Sequence, residues 1–216
     1  LGMCLPPRLI AQRITERYHG WRQDCQGRML WTTYFERDYI DGIASDKIPL
    51  KCYRDAHFAL PLAALLGEAA APNLIVGRMD ADENVLFDCG DEIVVLDSSE
   101  RPTGIVVSDQ TGTFINFRAP LEQSAEAYAQ PVNRRVAFTP DPKAFADAYL
   151  GALRARLEKT QEEYRKRRRA FDSLFKHRRR DEQGSFSYRW EMVLERLDHV
   201  DPAALVGKIR GQMVVR

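Results

Sequence analysis

Apolar residues recur at intervals of three and four over the first third of the chain, the spacing of a helix with one face toward a core. The pattern predicts helices over residues 8–18, 30–40 and 56–71. Gly42 suits the C-terminal cap of the second helix. The third is an Ala- and Leu-rich segment in which Pro61 is expected in the first turn, and its predicted end is Pro72.

The period of the apolar pattern changes after Pro72. Apolar runs at 74–76 and 85–87 flank a turn-forming stretch at 80–84, which predicts a β-hairpin. Further short apolar runs alternate with turn residues and predict strands over residues 93–96, 104–107 and 113–117. This middle section is therefore expected to contain strands and loops rather than helices.

Helical spacing returns in the last third of the chain. Asp141 and Pro142 are a typical N-cap and first helical residue, and the pattern after them continues to about Phe175. Shorter helices are predicted around 190–197 and from Pro202 to about Ile209. The sequence thus predicts an α+β fold, mostly helical with a central β-hairpin or small sheet. We expect residues 1–140 to form a helix and hairpin core and residues 141–216 a C-terminal helical region.

The composition is that of a globular protein, with 44% hydrophobic and 29% charged residues. We find no uninterrupted apolar run that approaches the length of a membrane span, so a transmembrane protein is not expected. The four cysteines are scattered without a CxxC pair, which favours a reducing, cytoplasmic location. The first residue is Leu1 rather than Met, and we expect the chain to be part of a larger polypeptide.

The net charge of +1 conceals a strong asymmetry, because residues 151–180 carry twelve basic and four acidic side chains. One basic cluster consists of Arg165, Lys166, Arg167, Arg168 and Arg169, and a second covers 176–180. Such a cationic surface is typical of proteins that contact the phosphates of nucleic acid or an anionic membrane. The simpler interpretation is a solvated helix end, in which acidic residues such as Glu162 pair with cations three or four residues further along.

Residues 65–92 carry the candidate chemistry. Leu66-Gly67-Glu68 lies in the predicted helix, Asn73 follows Glu68 by five residues at the start of the predicted hairpin, and Asp88-Cys89-Gly90 closes that hairpin. This order resembles the active-site segment of protein-kinase-like phosphotransferases, especially the small-molecule kinases related to aminoglycoside phosphotransferases. The resemblance covers about thirty residues.

The resemblance implies a fold like the C-terminal lobe of a kinase and transfer of a phosphoryl group from ATP to a hydroxyl, with Mg²⁺ as cofactor. Glu68 would be the catalytic base, and Asn73 and Asp88 would bind Mg²⁺ from the two ends of the hairpin. The sequence departs from the family in using Glu68 where the family has Asp, and in containing no GxGxxG nucleotide loop. Three interpretations of the missing loop stay open: the nucleotide-binding lobe is on another part of the polypeptide, the phosphate is held by other means, or the domain does not bind nucleotide.

Two other functions fit the same sequence. The first is a non-catalytic protein-interaction module, similar to a pseudokinase, with a protein partner or the remainder of a larger polypeptide. The second is nucleic-acid binding through residues 165–169. Acidic and amide residues at 80, 82, 84 and 91 match positions of a calcium loop, but Val85 stands where that loop requires glycine. The carboxylates of Asp88, Asp91 and Glu92 recruit a cation in one interpretation and form a plain acidic loop in the other.

Overall fold

A computed structural model describes residues 14–23, 29–37, 42–77, 92–107, 120–175 and 186–215 of the chain. Two antiparallel strands come first, β1 (Ile14–Gln23) and β2 (Met29–Arg37), with Trp21 opposite Trp31. The predicted helices over 8–18 and 30–40 are therefore wrong wherever they overlap these strands. Both segments contain several aromatic and β-branched residues, which favour extended backbone.

Helix α1 (Ala56–Val76) is the central element of the described fold. The Asp55 carboxylate caps its first turn by accepting a hydrogen bond from the His57 N–H at 2.9 Å. The helix continues through Pro72 to Val76 and is capped by Gly77, whose left-handed backbone (φ 63°) suits a helix C-terminus.

Three predictions about α1 are wrong. The helix begins early enough to place Pro61 in its second turn, it does not end at Pro72, and residues 74–76 are helical rather than the first strand of a hairpin. The physical reason is burial, because α1 is apolar around most of its circumference and fourteen of its residues are buried. Packing on all sides outweighs the two backbone hydrogen bonds that the prolines cannot donate. The predicted second strand at 85–87 lies outside the described residues.

A three-stranded antiparallel sheet lies beside this helix. Its order is β3 (Ile43–Ala44), β4 (Glu92–Leu96) and β5 (Pro102–Val107), and β5 contacts α1. The predictions of strands over 93–96 and 104–107 are confirmed, whereas the predicted strand over 113–117 lies outside the described residues.

Four helices follow the sheet: α2 (Ala125–Asn133), α3 (Pro142–Phe175), α4 (Phe186–His199) and α5 (Pro202–Gly211). The sequence did not predict α2. The other three are confirmed, and the N-cap of α3 is formed as expected, since the Asp141 carboxylate accepts from the Ala144 N–H at 2.9 Å. The described fold is thus α+β and mostly helical.

The core is densest where α1 crosses α3. Gly67 allows this approach, because a Cβ atom at that position would overlap the carbonyl oxygen of Tyr149. The Tyr149 side chain is fully buried and donates a hydrogen bond to the carbonyl oxygen of Tyr128 in α2 at 2.8 Å. This core takes residues from both sides of position 140. The domain division there stays a prediction.

Helix α1 is long and apolar enough, by length and composition, to cross a membrane. In the fold, however, 72% of its most apolar stretch is buried inside the protein, as in the core helix of a globular domain. The described residues therefore give no clear sign of a transmembrane protein.

Candidate functional site

The three residues predicted to form a phosphotransferase site lie in or after α1. Glu68 and Asn73 are both inside the helix, and Asp88 is outside the described residues. Five residues along an ideal helix correspond to a rise of about 7.5 Å and a rotation of about 140°. The helix therefore directs Glu68 and Asn73 to different sides, and Asn73 does not stand at the entrance of a hairpin. The roles of Glu68 as base and of Asn73 and Asp88 as Mg²⁺ ligands stay predictions.

Each helical candidate has a buried polar atom that finds no hydrogen-bond partner within the described part of the chain, Oε2 of Glu68 and Nδ2 of Asn73. Asn73 is 7% exposed, so its amide group is held away from solvent. Among the described residues, no group of three or more His, Cys, Asp or Glu side chains is arranged to hold a metal ion.

A cleft of about 260 Å³ opens between the start of α1 and the turn that joins β4 to β5. Its lining includes Cys52, Asp55, His57, Phe58, Glu100 and Arg101. The structure brings these residues together, and no sequence pattern predicts this cleft because the two segments are more than forty positions apart. The cysteine is half-buried, and within the described ranges its thiol has no disulfide partner.

The Asp97 carboxylate orders the β4–β5 turn on one side of this cleft. It accepts hydrogen bonds from the backbone N–H groups of Ser99 at 2.8 Å and Arg101 at 3.0 Å. These bonds, the one from Arg101 first, hold the pKa of Asp97 below its usual range. Glu100 adopts a positive φ of 57° in the turn. The turn is therefore a fixed wall of the cleft.

The charges that line the cleft are of both signs. Asp55 and Glu100 are acidic, Arg101 is basic, and the Asp55 carboxylate is already used as the cap of α1. A small polar molecule fits the volume, but the mixed charges favour neither an anion nor a cation.

The second candidate is the part of α3 that we call the cationic segment, residues 165–169. Its five members and the following Ala170 are all exposed. Successive residues of a helix are separated by about 100°, so these six residues point in directions all around it, and the side that carries Arg165 and Arg168 faces α4. By contrast, α3 buries large residues further toward its N-terminus, among them Phe145, Tyr149 and Leu153. The cationic segment is thus a solvent-exposed continuation of a helix that is anchored in the core.

Ion pairs organise the cationic segment. Arg165 and Arg168 both contact the Asp198 carboxylate of α4, with Nε–Oδ1 and Nη1–Oδ2 distances of 3.4 and 3.1 Å. Lys166 pairs with Glu162 one turn earlier at 2.6 Å, and this bond lowers the pKa of Glu162. The pairing of cations with residues one turn away on the same helix follows the sequence expectation, whereas Asp198 was not anticipated.

The end of α4 is fixed on this part of α3. The amide of Gln161 donates hydrogen bonds to the carbonyl oxygens of Leu197 at 2.9 Å and Val200 at 3.0 Å. Arg165 donates through Nη2 to the Asp198 carbonyl oxygen at 3.2 Å. The C-terminal carbonyl groups of a helix lack intrahelical partners, and these side chains supply them. A length of α3 therefore carries α4 on one side and solvent on the other.

Comparison with protein-family models, curated protein sequences and solved structures finds no match to this chain.

Proposed function

We propose that this chain is a non-catalytic binding module that contacts the phosphates of duplex DNA through the cationic segment of α3. The observation that carries the proposal is the exposure of residues 165–170, with five consecutive cations among them. Clustered Lys and Arg on one helix are the electrostatic footprint of a nucleic-acid-binding protein.

The distribution of these cations favours a groove over a flat partner. An acidic protein surface or a membrane meets one side of a helix, and therefore two or three of five consecutive residues. The major groove of DNA is about 12 Å wide, close to the 10–12 Å diameter of a helix, and has phosphates along both walls. A helix in this groove uses cations that point in different directions.

The ion pairs within the segment leave it competent to bind. Exposed salt bridges contribute about 0–1 kcal/mol and are screened by salt, so phosphates compete with them readily. Arg165, Lys166 and Arg168 have side chains that are 55%, 68% and 58% exposed, which leaves their charged groups accessible to solvent. The carboxylates of Glu162 and Asp198 offset part of the charge, and the cluster remains positive.

The experiment is the binding of a fluorescent duplex of about 20 base pairs, followed by anisotropy as salt is raised. We expect the double variant Lys166→Gln/Arg167→Gln to bind the duplex more weakly. The slope of log K against log[salt] should become less steep by about two units, because each phosphate contact contributes about 0.9 to it. The matched control is Lys143→Gln, an exposed cation at the other end of α3, about 36 Å away along the helix. It is expected to bind as the parent does.

Equal loss of affinity in Lys143→Gln and in the double variant contradicts the proposal, since it means that binding follows net charge rather than the segment. Binding that does not weaken with salt also contradicts it and makes an acidic protein the better candidate partner. The cytoplasmic location predicted from the cysteines stays a prediction alongside this function.

The kinase-like phosphotransferase is the competing proposal. Its case depended on a hairpin that begins beside Asn73, and that residue lies within α1. Calorimetric titration of the protein with Mg²⁺ and ATP, repeated with Asp88→Ala, tests it directly. Heat that is present in the parent and lost in the variant restores the phosphotransferase, and heat that is absent removes it.

A further inference from the structure

The cleft between the start of α1 and the β4–β5 turn has the size and lining of a small-molecule site. Its volume of about 260 Å³ is just below the roughly 300–1,000 Å³ of pockets that hold drug-sized ligands, so the occupant it suits is a smaller molecule. The buried ring of Phe58 and the half-buried Cys52 give the cleft an apolar side. Charged groups on its walls supply the polar contacts that would orient a ligand.

Each wall of this cleft carries charge. On the helix side, the Asp55 carboxylate caps α1 through Oδ1, and a carboxylate has a second oxygen that can accept a hydrogen bond from a cation. On the turn side, Glu100 and Arg101 are consecutive residues and both are exposed. A ligand with a single charge would be attracted by one of these groups and repelled by another. A zwitterion, which carries both charges, matches them together.

The β4–β5 turn holds Glu100 and Arg101 in a defined backbone conformation. The Glu100 N–H donates to the Asp97 carbonyl oxygen at 3.0 Å, and the Asp97 N–H donates to the Arg101 carbonyl oxygen at 2.9 Å. Glu100 thereby adopts a positive φ of 57°, which residues other than glycine rarely do. Groups that are ordered before a ligand arrives lose less conformational freedom when it binds.

We infer that this cleft binds a free α-amino acid with an apolar side chain. The ligand carboxylate contacts the Arg101 guanidinium, which can donate two parallel N–H bonds to it. The ligand ammonium group contacts the carboxylates of Glu100 and Asp55, and its side chain lies against Phe58. This site is separate from the cationic segment, so amino-acid binding and DNA binding can be tested independently and either one can fail without the other.

The first experiment is calorimetric titration of the unmodified protein with L-leucine and L-methionine. Two analogues of leucine serve as matched probes: N-acetyl-L-leucine keeps only the carboxylate charge, and L-leucinamide keeps only the ammonium charge. We expect each analogue to bind about tenfold or more weakly than L-leucine, because each lacks one charge-assisted contact. Equal affinity for L-leucine and either analogue contradicts the zwitterion. The inference is also overturned if neither amino acid binds at concentrations up to about 10 mM.

Variants of the turn locate the binding. Arg101→Gln and Glu100→Gln change exposed side chains and keep the backbone bonds of the turn, and each is expected to weaken L-leucine binding about tenfold or more. The matched control is Arg54→Gln, which removes a charge from an exposed residue next to Asp55 that the described lining does not include. It should bind L-leucine as the parent does. Unchanged affinity in Arg101→Gln, or an equal loss in Arg54→Gln, would show that the ligand is not held by the turn.

The Cys52 thiol provides a second readout at the cleft itself. Its alkylation by iodoacetamide is followed by mass spectrometry of the peptide that contains it. L-leucine should slow this reaction in the parent and in Arg54→Gln, and should leave it unchanged in Arg101→Gln. A rate at Cys52 that L-leucine does not alter in the parent would place any amino-acid binding elsewhere and overturn the inference.

Discussion

Helices α1 and α3 approach each other so closely at Gly67 that one added methyl group there should lower the stability of the fold. At Gly67 of α1, a Cβ atom would lie 3.0 Å from the carbonyl carbon of Tyr149 and 3.1 Å from the backbone nitrogen of Leu153, and closer still to the Tyr149 carbonyl oxygen. All three neighbours are backbone atoms of α3, which cannot rotate away as a side chain does. Gly67→Ala therefore forces α1 and α3 apart.

The magnitude follows from two opposing terms. Overpacking of a core costs about 1–3 kcal/mol, with the upper part of the range appropriate where backbone must move. Replacement of glycine by alanine inside a helix stabilises the fold by about 1 kcal/mol, because alanine has the higher helix propensity. We expect the free energy of unfolding to fall by about 1–2 kcal/mol, which lowers the urea midpoint by roughly 0.5–1 M.

Two other helical glycines provide matched controls. A Cβ atom at Gly151 of α3 or Gly207 of α5 would have no other atom within 4 Å, and both positions are exposed. Gly151→Ala and Gly207→Ala are expected to raise the free energy of unfolding by about 0.5–1 kcal/mol. Urea denaturation followed by circular dichroism compares the three variants with the parent. A Gly67→Ala protein that gains stability as the controls do would refute the α1–α3 contact.

Three further predictions concern the polar contacts of the helices. Tyr149→Phe removes the buried hydrogen bond to the Tyr128 carbonyl and is expected to cost about 1–2 kcal/mol in urea denaturation. Burial raises the pKa of Tyr149, so the neutral phenol contributes to the free energy of unfolding below about pH 10, and this contribution is lost as the pH rises further. Between about pH 9 and 11 the free energy of unfolding should therefore fall more in the parent than in Tyr149→Phe. Equal decreases in the two proteins contradict the burial of this side chain. Gln161→Leu removes the side-chain donor to the Leu197 carbonyl and should lower the thermal midpoint, with an expected loss of about 1–3 kcal/mol in the free energy of unfolding. An unchanged midpoint would show that Gln161 does not cap α4. Asp201→Ala removes the cap of α5 at a cost of about 1 kcal/mol, whereas Asp201→Ser should retain most of it, and equal midpoints for the two variants argue against the cap.

Helix ends with strong local signals were predictable from the sequence. Asp141 followed by Pro142 marks the start of α3 because the side chain accepts a backbone N–H and the proline needs no donor at that position. Long-range packing was not predictable. The extension of α1 through Pro72 to Gly77 depends on neighbours that bury this helix on nearly every side, and a local pattern cannot contain them. The aromatic residues of β2 satisfied a helical spacing by chance, while their β-propensity decided the outcome.

The candidate sites also contain one part that a local sequence pattern predicts and another that depends on long-range packing. The cationic segment is contiguous in the sequence, so Arg165 to Arg169 were identified before the fold was known. Asp198 comes from another helix, and its contact with Arg165 depends on how α4 packs. The interpretation of Asn73 depends on where α1 ends, which long-range packing decides, and its position inside α1 places Glu68 and Asn73 on different sides.

The salt dependence of duplex DNA binding by the unmodified protein tests the central claim most directly. If the cationic segment meets phosphates on both walls of a groove, log K should fall linearly with log[salt] with a slope of about −2 or steeper. A single strand of the same sequence, which has no groove, should bind more weakly. A slope near zero, or equal affinity for the single strand and the duplex, would contradict the account.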